Sequence, residues 1–529
     1  MLLAIGTAGA GRAVWVSPPA FQGEAGPGLA PDASAANCGP LAPPSGTIIT
    51  VSTVPDLEAA VGSLAANTTI LIADGTYNLT QPLQIHDAAH NVTIRGASGN
   101  RNAVILNGGG MTNNGTNLSH IFQVFAPDVT IADLTLHDVY FHLVQIHGEN
   151  GATRPTLYDL HLLDAGEQFI KGSTAGNPGP YADDGLVACS TIEYTNYPPS
   201  DYTNGVDVLA GAGWVIRDNV FRNIRSPDGS LAGPAVLMWR NSLDTLVERN
   251  QFIECDRAIA LGLSAPDSNS RDGNTTYDHQ GGIVRNNFIY RAGPGDVGIT
   301  LNYARDAKVY NNTVLLNGTF IYGAIEYRFS STSADIRYNL SDAPIWQRDG
   351  ASGTVSGNVS NAKPAWFANA TAGDLHLLAS ATAAIDQAAV LADVPDDYDG
   401  AARPIGPASD VGADEYGVPP PGAVTDLRLT GVLTASNVLT GTLVWTAPGN
   451  ALTTTVRYSA GPITPANWPV AIALGAPLAG SAHLLSTSVA YSGGKLYFAL
   501  RSANAGGASG LSNLAFWPIN ELDLPLLRR

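Results

Sequence analysis

Short segments built around an asparagine recur through the middle of this chain and constrain its fold more than any other feature. Each segment has an alternating apolar run, a polar pair, an asparagine and a second apolar run, as in WVIRDNVFRNI at 214–224. The repeated asparagines are Asn219, Asn250, Asn287, Asn312 and Asn339. Their spacings of 31, 37, 25 and 27 residues indicate a constant strand–turn–strand centre with loops of variable length. This pattern predicts a β-solenoid, in which every repeat stacks on the next.

The same asparagines have a predicted structural role. We expect their side-chain amides to pair from one coil to the next, and we expect them to lie at sharp corners because asparagine tolerates the left-handed backbone conformation. Two earlier segments, 128–138 and 155–165, repeat the pattern with aspartate in place of asparagine.

The composition favours many short strands joined by turns. Only 14% of the 529 residues are charged, and the chain contains 57 glycines and 34 prolines. The net charge of −18 argues against a nucleic-acid-binding protein. No apolar run reaches the roughly 18 residues of a membrane-spanning helix, so we expect no membrane span. The length predicts at least two domains.

The three cysteines, Cys38, Cys189 and Cys255, lack the spacing of a metal cluster. We expect all three to be unpaired, with two buried thiols and one near the N-terminus. Residues 1–45 begin with a short apolar stretch and continue as a Pro/Gly/Ala-rich segment, which predicts the remnant of an export signal followed by a linker.

Two segments identify the type of solenoid. The first is ITVSTVPDLEAAVGSL at 49–64, followed by IADGTYNLTQPLQI, and the second is DYDGAARPIGPASDVGADEYG at 397–417. With these segments, residues 46–416 resemble the right-handed parallel β-helix of the pectate-lyase-like superfamily, as found in secreted bacterial proteins. The resemblance implies a short helix at about 55–64 that caps the first coil. Lyases, hydrolases, epimerases and adhesins share this scaffold, so it does not define the function.

The pattern changes after a Pro-rich linker at 417–424. Residues 425–518 resemble a fibronectin type III β-sandwich, with Trp445 as the core tryptophan and Tyr497 at the tyrosine-corner position. Residues 519–529 form a short apolar tail that ends in arginines, similar to the ends of exported bacterial proteins. The predicted fold is therefore all-β: a right-handed parallel β-helix followed by a small β-sandwich.

Candidate site residues emerge when the strands that follow the asparagine segments are aligned. If the inner face carries Val144, Ile170, Val206, Ile259, Ile299 and Ile325, two columns of side chains point outward. The first column is Gln145, Lys171, Asp207, Ala260, Thr300 and Glu326. The second column is His147, Ser173, Leu209, Gly262, Asn302 and Arg328, and one of two registers for AVLMWR adds Arg240 to it. We expect these columns to form the floor of an open sugar-binding groove.

The chemistry that fits these residues is β-elimination in a uronic-acid polysaccharide. This reaction needs a base for the C5 proton and a cation that neutralises the adjacent carboxylate. The resemblance implies a lysine or arginine base, as in the chondroitinase B-like and alginate lyases, so Lys171 is predicted to be the base and Arg240 the neutralising group or its partner. The catalytic candidates are Lys171, Arg240, His147 and Asp207. Possible Ca²⁺ ligands are Asp207, Asp183 and Asp184.

Two long insertions, 173–185 and 264–280, follow strands of this face and are expected to overhang it. They supply Tyr181 and Tyr277 as sugar-stacking candidates. The predicted substrate-binding residues are Tyr181, Tyr277, His279, Gln145 and Asn302.

Each candidate also has a purely structural interpretation. Lys171 and Asp207 can form a ladder pair on the surface, His147 can lie at a solvent-exposed edge, and Arg240 can pack its aliphatic stem beside Trp239. The leading prediction is a monomeric, secreted or cell-surface bacterial lyase that acts on an acidic polysaccharide. The alternatives are a glycoside hydrolase with paired carboxylates and a non-catalytic carbohydrate-binding or adhesion solenoid.

Overall fold

A computed structural model describes residues 38–417, 421–435, 437–504 and 507–518. From Thr47 to Ser356 the chain winds through short parallel strands that form three stacks. Stack 1 contains Thr47–Val51, Thr68–Ile72, Val92–Gly96, the first part of Val129–Val139, the first part of Thr156–Ala165, Leu186–Ala188, Val215–Arg217, Leu246–Glu248, Ile283–Arg285, Ala307–Tyr310, Ser333–Arg337 and Ser352–Ser356.

Stack 2 lies one corner further along each coil. It contains Gly75–Asn78, Val104–Asn107, the second parts of Val129–Val139 and Thr156–Ala165, Thr191–Glu193, Val220–Arg222, Gln251–Ile253, Phe288–Tyr290, Thr313–Leu315 and Leu340–Ser341. The two long strands run through both stacks and join them into one sheet.

Stack 3 forms a separate parallel sheet and carries the candidate site. It contains Leu83–Ile85, His120–Val124, His142–His147, Ile170–Ser173, Val206–Leu209, Val236–Trp239, Ile259–Leu261, Ile299–Asn302, Ile325–Arg328 and Ile345–Arg348. A small sheet of Ser242–Leu243, His279–Gln280 and Ala304–Arg305 lies where the chain returns to stack 1. Inward side chains from the three stacks fill one continuous core. The predicted parallel β-helix is thus confirmed.

The asparagine ladder predicted from the repeats is present. The side-chain carbonyls of the later four repeat asparagines accept both the side-chain N–H and the backbone N–H of the asparagine one coil earlier, that of Asn219 accepts the backbone N–H of Ser190, and all five are fully buried. The amide–amide distances are 3.0 Å for Asn219–Asn250, 3.0 Å for Asn250–Asn287, 2.9 Å for Asn287–Asn312 and 2.9 Å for Asn312–Asn339. Asn358 extends the ladder by one further coil, at 2.9 Å from Asn339.

The ladder asparagines do not themselves occupy the left-handed corner, which corrects that prediction. The residue before each of them does, and φ is +57° at Asp218, +51° at Arg249 and +54° at Asn286. In the two earlier copies the aspartates, Asp133 and Asp159, occupy the left-handed corner position. The ladder asparagine is needed for its buried amide, which satisfies backbone groups on both sides, rather than for its backbone conformation.

The predicted capping helix spans Val54–Gly62. Thr53 caps its N-terminus, because the Thr53 hydroxyl accepts the backbone N–H of Asp56 at 3.2 Å. Leu57 and Val61 are buried against the first coils, and Glu58 accepts the backbone N–H of Thr80 at 2.7 Å. The helix therefore covers apolar side chains at the open end of the core.

The prediction that all three cysteines are unpaired is wrong. Cys38 and Cys189 form a disulfide, and Cys255 is a free, buried thiol. The segment after Cys38 lies along the β-helix: the Tyr158 hydroxyl donates to Gly39 O, and Arg95 Nη1 donates to Ala42 O at 3.0 Å. Residues 38–45 thus belong with the β-helix and are not a free linker, while residues 1–37 lie outside the described residues.

The chain after the last coil folds back over stack 2. An antiparallel pair, Phe367–Asn369 and Asp374–Leu377, belongs to a second apolar cluster that contains Tyr398 and outward side chains of stack 2 such as Phe288. Within residues 38–417, the range described for the β-helix and this segment, there are four short 3₁₀ helices, at Gly148–Asn150, Arg271–Gly273, Pro364–Trp366 and Ala370–Ala372. One outer face of the solenoid is thereby covered by the protein itself.

The C-terminal region forms two antiparallel sheets around a separate apolar core. One sheet contains Arg428–Ala435, Val438–Val444 and Leu484–Ala490, and the other contains Thr453–Ser459, Ile472–Ala473, Leu478–Ala479, Leu496–Asn504, Gly507–Ala508 and Ala515–Trp517, with a 3₁₀ helix at Trp468–Val470. Trp445 is buried in this core, and Tyr497 lies in the strand Leu496–Asn504. The β-sandwich is present, and its assignment as fibronectin type III stays a prediction. The tail, 519–529, and residues 418–420 of the linker lie outside the described residues.

Among the helices that the structure describes, none is long and apolar enough to cross a membrane.

Candidate functional site

The register of stack 3 agrees with the first predicted column. The paired positions run in order through Gln145, Lys171, Asp207, Leu237, Ala260, Thr300 and Glu326. The residues predicted to face inward are fully buried. Because alternate residues of a strand point to opposite faces, this register places Lys171 and Asp207 side by side on the outer face of the sheet.

Lys171 and Asp207 form a close ion pair. Lys171 Nζ lies 2.5 Å from Asp207 Oδ2, and the other oxygen, Oδ1, accepts the indole N–H of Trp239 at 2.8 Å. The side chains of Lys171 and Asp207 are only 11% and 2% exposed, respectively. Tyr202, which is 55% exposed, lies with its ring centre 5.9 Å from Nζ. The Asp207 carboxylate is therefore the direct ionic partner of Lys171 on this face.

The floor around this pair is less open than the sequence predicted. Lys171, Asp207, Thr300 and Glu326 are all buried, while Gln145 and His147 are half-buried. The second column, which includes Ser173, Leu209 and Trp239, is likewise partly exposed. A ligand on this face therefore meets the second column and Tyr202 before it reaches the ion pair.

His147 lies on this more accessible column and is held by a carboxylate. Its Nδ1 is 2.8 Å from Glu149 Oε1, and the Ser173 hydroxyl donates to Glu149 at 2.9 Å. The imidazole stacks on Phe125 at 4.1 Å. Burial opposes ionisation of Glu149, yet the hydrogen bonds from His147 and Ser173 leave the pKa of this carboxyl below its usual range.

An ionised Glu149 can only accept, so His147 Nδ1 carries the hydrogen. His147 Nε2 is buried and has no hydrogen-bond partner among the described residues.

Two further histidines, which the sequence analysis did not select, lie in the same patch. Burial lowers the pKa of His120 to about 4 and that of His142 to about 3, and His120 and Lys171 contribute to the shift of His142. Both imidazoles are therefore neutral at pH 7. His142 Nδ1 donates to Gln168 O at 3.2 Å, and His120 Nδ1 lies 2.9 Å from the Ser119 hydroxyl. Lys171 therefore lies in a patch with two uncharged imidazoles, those of His120 and His142.

Arg240 does not join the second column, which corrects the register that placed it there. Trp239 pairs with Leu209 and takes that position, and Arg240 follows in the left-handed conformation, with φ at +61°. Its guanidinium binds Asp267 at 2.9 Å and lies 5.2 Å from the Trp239 ring centre. The alternative structural interpretation, packing beside Trp239, is the observed one.

The insertion 173–185 supplies no open platform or metal ligand. Tyr181 is buried, with the Arg271 guanidinium 4.5 Å from its ring centre. Arg271 also binds both oxygens of Asp183, at 2.6 and 2.9 Å. Asp184 occupies a left-handed corner, with φ at +57°, beside Gly213. The predicted sugar-stacking role of Tyr181 is therefore wrong, because its ring is covered.

The insertion 264–280 likewise packs onto the protein. His279 is fully buried and within 3.0 Å of the Thr245 hydroxyl, which excludes it from direct substrate binding. Tyr277 is half-buried under the Arg305 guanidinium, 4.9 Å from its ring centre. Asn302 is buried beside Thr300 in stack 3. A Cβ at Gly262, where φ is +77°, would lie 1.9 Å from Asn302 O, so only glycine fits this close turn.

The predicted calcium ligands do not converge. Both oxygens of Asp207 are used by Lys171 and Trp239, and both oxygens of Asp183 are used by Arg271. Within the described ranges, the group with ligand atoms close enough for a metal is His376, Asp399 and Asp414, in the segment that covers stack 2. The donor set at Lys171 does not fit Ca²⁺, and no step of the chemistry below uses it.

Open surface cavities occur elsewhere on the β-helix. One of about 420 Å³ lies beside Cys38 and Arg101, and one of about 300 Å³ lies beside Tyr197 and Arg225. Lys171 lines neither of them. The arginines are already engaged: Arg101 donates to Cys189 O at 3.0 Å, and Arg225 binds Glu254 at 3.1 Å. The surface patch around Lys171 therefore remains the candidate site.

Comparisons with known proteins give distant likenesses. No protein-family model matches the chain, and no curated protein matches it. An alginate lyase from Paenibacillus sp. str. FPU-7 is 15% identical, with 59% of this chain and 99% of that chain covered and a TM-score of 0.32. A PL6 family polysaccharide lyase from Pseudopedobacter saltans is 12% identical, covers 60% and 94%, and has a TM-score of 0.31.

PfbA, a surface adhesin of Streptococcus pneumoniae, is 14% identical, covers 58% and 87%, and has a TM-score of 0.35. Similarities of this size carry no conclusion about the activity of this chain.

Proposed function

We propose that this chain cleaves an acidic, uronate-containing polysaccharide by β-elimination on the outer face of stack 3. The observation that supports this most is the Lys171–Asp207 ion pair, which is almost completely removed from water beside neutral imidazoles. Buried charges are costly, and a buried cation in a patch of bases is a feature of sites that handle charged substrates. Tyr202, exposed beside Lys171, offers an aromatic face for a sugar ring.

In this proposal Lys171 neutralises the substrate carboxylate rather than removing the proton. The sequence predicted Lys171 as the base, but in the structure its Nζ is engaged by the Asp207 carboxylate at 2.5 Å and is not free to accept a proton from a substrate. An ammonium next to the uronate carboxylate stabilises the negative charge that develops there when C5 loses its proton. Asp207, held in turn by Trp239, fixes the position of this ammonium.

His147 is the proposed proton acceptor. In neutral His147, with Nδ1–H donated to Glu149, Nε2 carries the lone pair, and among the described residues this nitrogen has no hydrogen-bond partner. Nε2 takes the C5 proton, the C5–H electron pair forms the C4=C5 double bond, and the C4–O glycosidic bond breaks. The departing oxygen takes a proton from solvent. Lys171 and His147 are diagonal neighbours, about 8 Å apart along the backbone by strand geometry.

The disulfide supports a location outside the cytoplasm. Cys38 and Cys189 are paired, and such bonds persist in oxidising compartments. We therefore keep a secreted or cell-surface bacterial location, and a monomeric state, as part of the proposal.

A hydrolase is less well supported by the carboxylates. A hydrolase would pair Asp207 with Asp183, Asp184 or Asp278, and of these Asp207 is bound by Lys171 and Asp183 by Arg271. Asp207 and Asp183 are therefore occupied by structural contacts and not poised as an acid and a nucleophile.

The test is a panel of purified polyuronates, with product formation followed by the ultraviolet absorbance of the C4=C5 double bond. We expect turnover on at least one polymer, a loss of about 10²–10³-fold in Lys171→Met and about 10²–10⁴-fold in His147→Gln. The matched control is Lys308→Met, which should retain activity. Lys308 lies in stack 1, where its exposed side chain pairs with Asp393. New reducing ends without the double bond would instead indicate hydrolysis. A chelator is expected to leave the rate unchanged.

A further inference from the structure

The last coils of stack 3 carry a second group of residues suited to a carbohydrate. We infer that Tyr322, Glu326, Arg328, Trp346 and Arg348, here called the distal platform, bind sugar units of the same acidic polysaccharide at a distance from Lys171. This inference rests on the proposed function for the identity of the polymer. Its evidence is separate, because it comes from the opposite end of the sheet.

Trp346 is the main observation. Its side chain is 44% exposed, although it lies on a strand of the parallel sheet, Ile345–Arg348. Register places it directly after Glu326 in the column that contains Lys171. A large exposed aromatic ring on a regular strand is not required by the core, and it offers a flat apolar face for a pyranose ring.

Two arginines flank this tryptophan. Arg328 and Arg348 occupy directly paired positions on neighbouring strands. Like charges in this relation destabilise a sheet unless something compensates for them. Arg348 binds Glu326 at 2.7 Å and Arg328 binds Asp349 at 2.7 Å, so each guanidinium is held in place by one acid.

The arginines remain able to bind a ligand. Arg348 also stacks on the Tyr322 ring, 3.6 Å from its centre, and is still 18% exposed, while Arg328 is 27% exposed. A guanidinium has five N–H donors, so donors remain after one ion pair. Two oriented guanidinium groups beside an aromatic face match a sugar that carries a carboxylate.

The spacing defines what can reach both places. From Lys171 to Trp346 there are six register steps, through Asp207, Leu237, Ala260, Thr300 and Glu326. At about 4.8 Å for each step, the separation is about 29 Å. Only a polymer several sugars long can contact both Lys171 and the distal platform, so the platform favours long chains over short oligosaccharides.

The test measures binding independently of cleavage. Affinity electrophoresis in gels containing an acidic polysaccharide is compared for wild type, Trp346→Ala, Arg348→Ala and the conservative variant Trp346→Phe. We expect retention to weaken about tenfold in the two alanine variants and to be largely kept in Trp346→Phe. Tyr197→Ala, at an exposed aromatic residue outside stack 3, is the control and binds as wild type. Far-ultraviolet circular dichroism verifies that each variant is folded.

The outcomes separate the two proposals. Binding that depends on Trp346 without cleavage of any polymer supports the platform and overturns the lyase. Cleavage with unchanged polymer binding in Trp346→Ala overturns the platform and leaves the lyase standing. Equal retention by a neutral polymer such as dextran contradicts the acidic ligand class. If cleavage occurs, kcat/KM of Trp346→Ala falls for the polymer and not for a trisaccharide, because a trisaccharide cannot span about 29 Å.

Discussion

Breaking the Lys171–Asp207 pair by removing one partner should destabilise the β-helix far more than removing both. At 2.5 Å, and with the effective dielectric constant of about 20 that suits such sites, the attraction is about 7 kcal/mol before desolvation is subtracted. Asp207→Ala leaves an almost completely buried ammonium without its carboxylate. We therefore expect Asp207→Ala to lower the free energy of unfolding by about 3–5 kcal/mol.

The double variant Lys171→Met/Asp207→Leu removes both charges and fills the same space with apolar atoms. Its free energy of unfolding should lie within about 1–2 kcal/mol of wild type, because neither desolvation cost remains. Lys171→Met alone completes the double-mutant cycle. Each variant is measured by urea unfolding followed by far-ultraviolet circular dichroism.

A cost below about 1 kcal/mol for Asp207→Ala, together with no coupling in the cycle, would refute this reasoning. That result is typical of a pair screened by water, and it would mean that the site is open in solution. The double variant should be inactive even where it is stable, which separates the catalytic role of Lys171 from its structural one.

Three other perturbations test further parts of the structure. Asn250→Ala removes the acceptor of the Asn219 backbone N–H and the donors to Ile216 O and Asn287. The free energy of unfolding should therefore fall by about 2–6 kcal/mol. Asn358 is partly exposed, so Asn358→Ala should cost clearly less. Replacing both Cys38 and Cys189 by serine should lower stability by about 2–5 kcal/mol, because the bond closes a loop of 151 residues; equal unfolding midpoints would contradict this. Burial disfavours the charged form of His376, but its hydrogen bonds with Asp374 and Asp399 outweigh this effect and raise the pKa of His376 to about 10. Its contribution to stability is therefore complete below about pH 6.5 and is lost as the pH rises to about 10, and His376→Gln should abolish that part of the pH dependence of the urea midpoint.

The sequence was sufficient for the coil and for most of the register of stack 3, but it left the strand Val236–Trp239 in either of two registers. Period-two alternation fixes which side chains face the core, and stacking then aligns Lys171 with Asp207 without further information. The ladder was predictable because Asn250 and its equivalents recur at a constant place in each repeat. The left-handed residue was misplaced by one position, since residues as different as Asp218, Arg249 and Tyr338 occupy it.

The way in which the two insertions, 173–185 and 264–280, pack onto the protein beside the site could not be predicted in the same way. It depends on how the two insertions pack on each other, as when Arg271 of one binds Asp183 of the other across 88 positions of sequence. The disulfide was missed for a similar reason, because nothing in the spacing of three cysteines shows which distant pair meets. His147 was selected from its column, but the role of Glu149 depends on the short 3₁₀ turn Gly148–Asn150 that directs it back to the imidazole.

The most direct test of the proposed chemistry is the structure of the product. Wild-type protein, His147→Gln and Lys308→Met are incubated with the polyuronate that is best cleaved, and the oligosaccharides are analysed by mass and ultraviolet absorbance. β-Elimination predicts C4=C5 unsaturated ends, formed by wild type and Lys308→Met and almost absent with His147→Gln. Saturated products from wild type, or unsaturated products formed equally well by His147→Gln, would contradict the account.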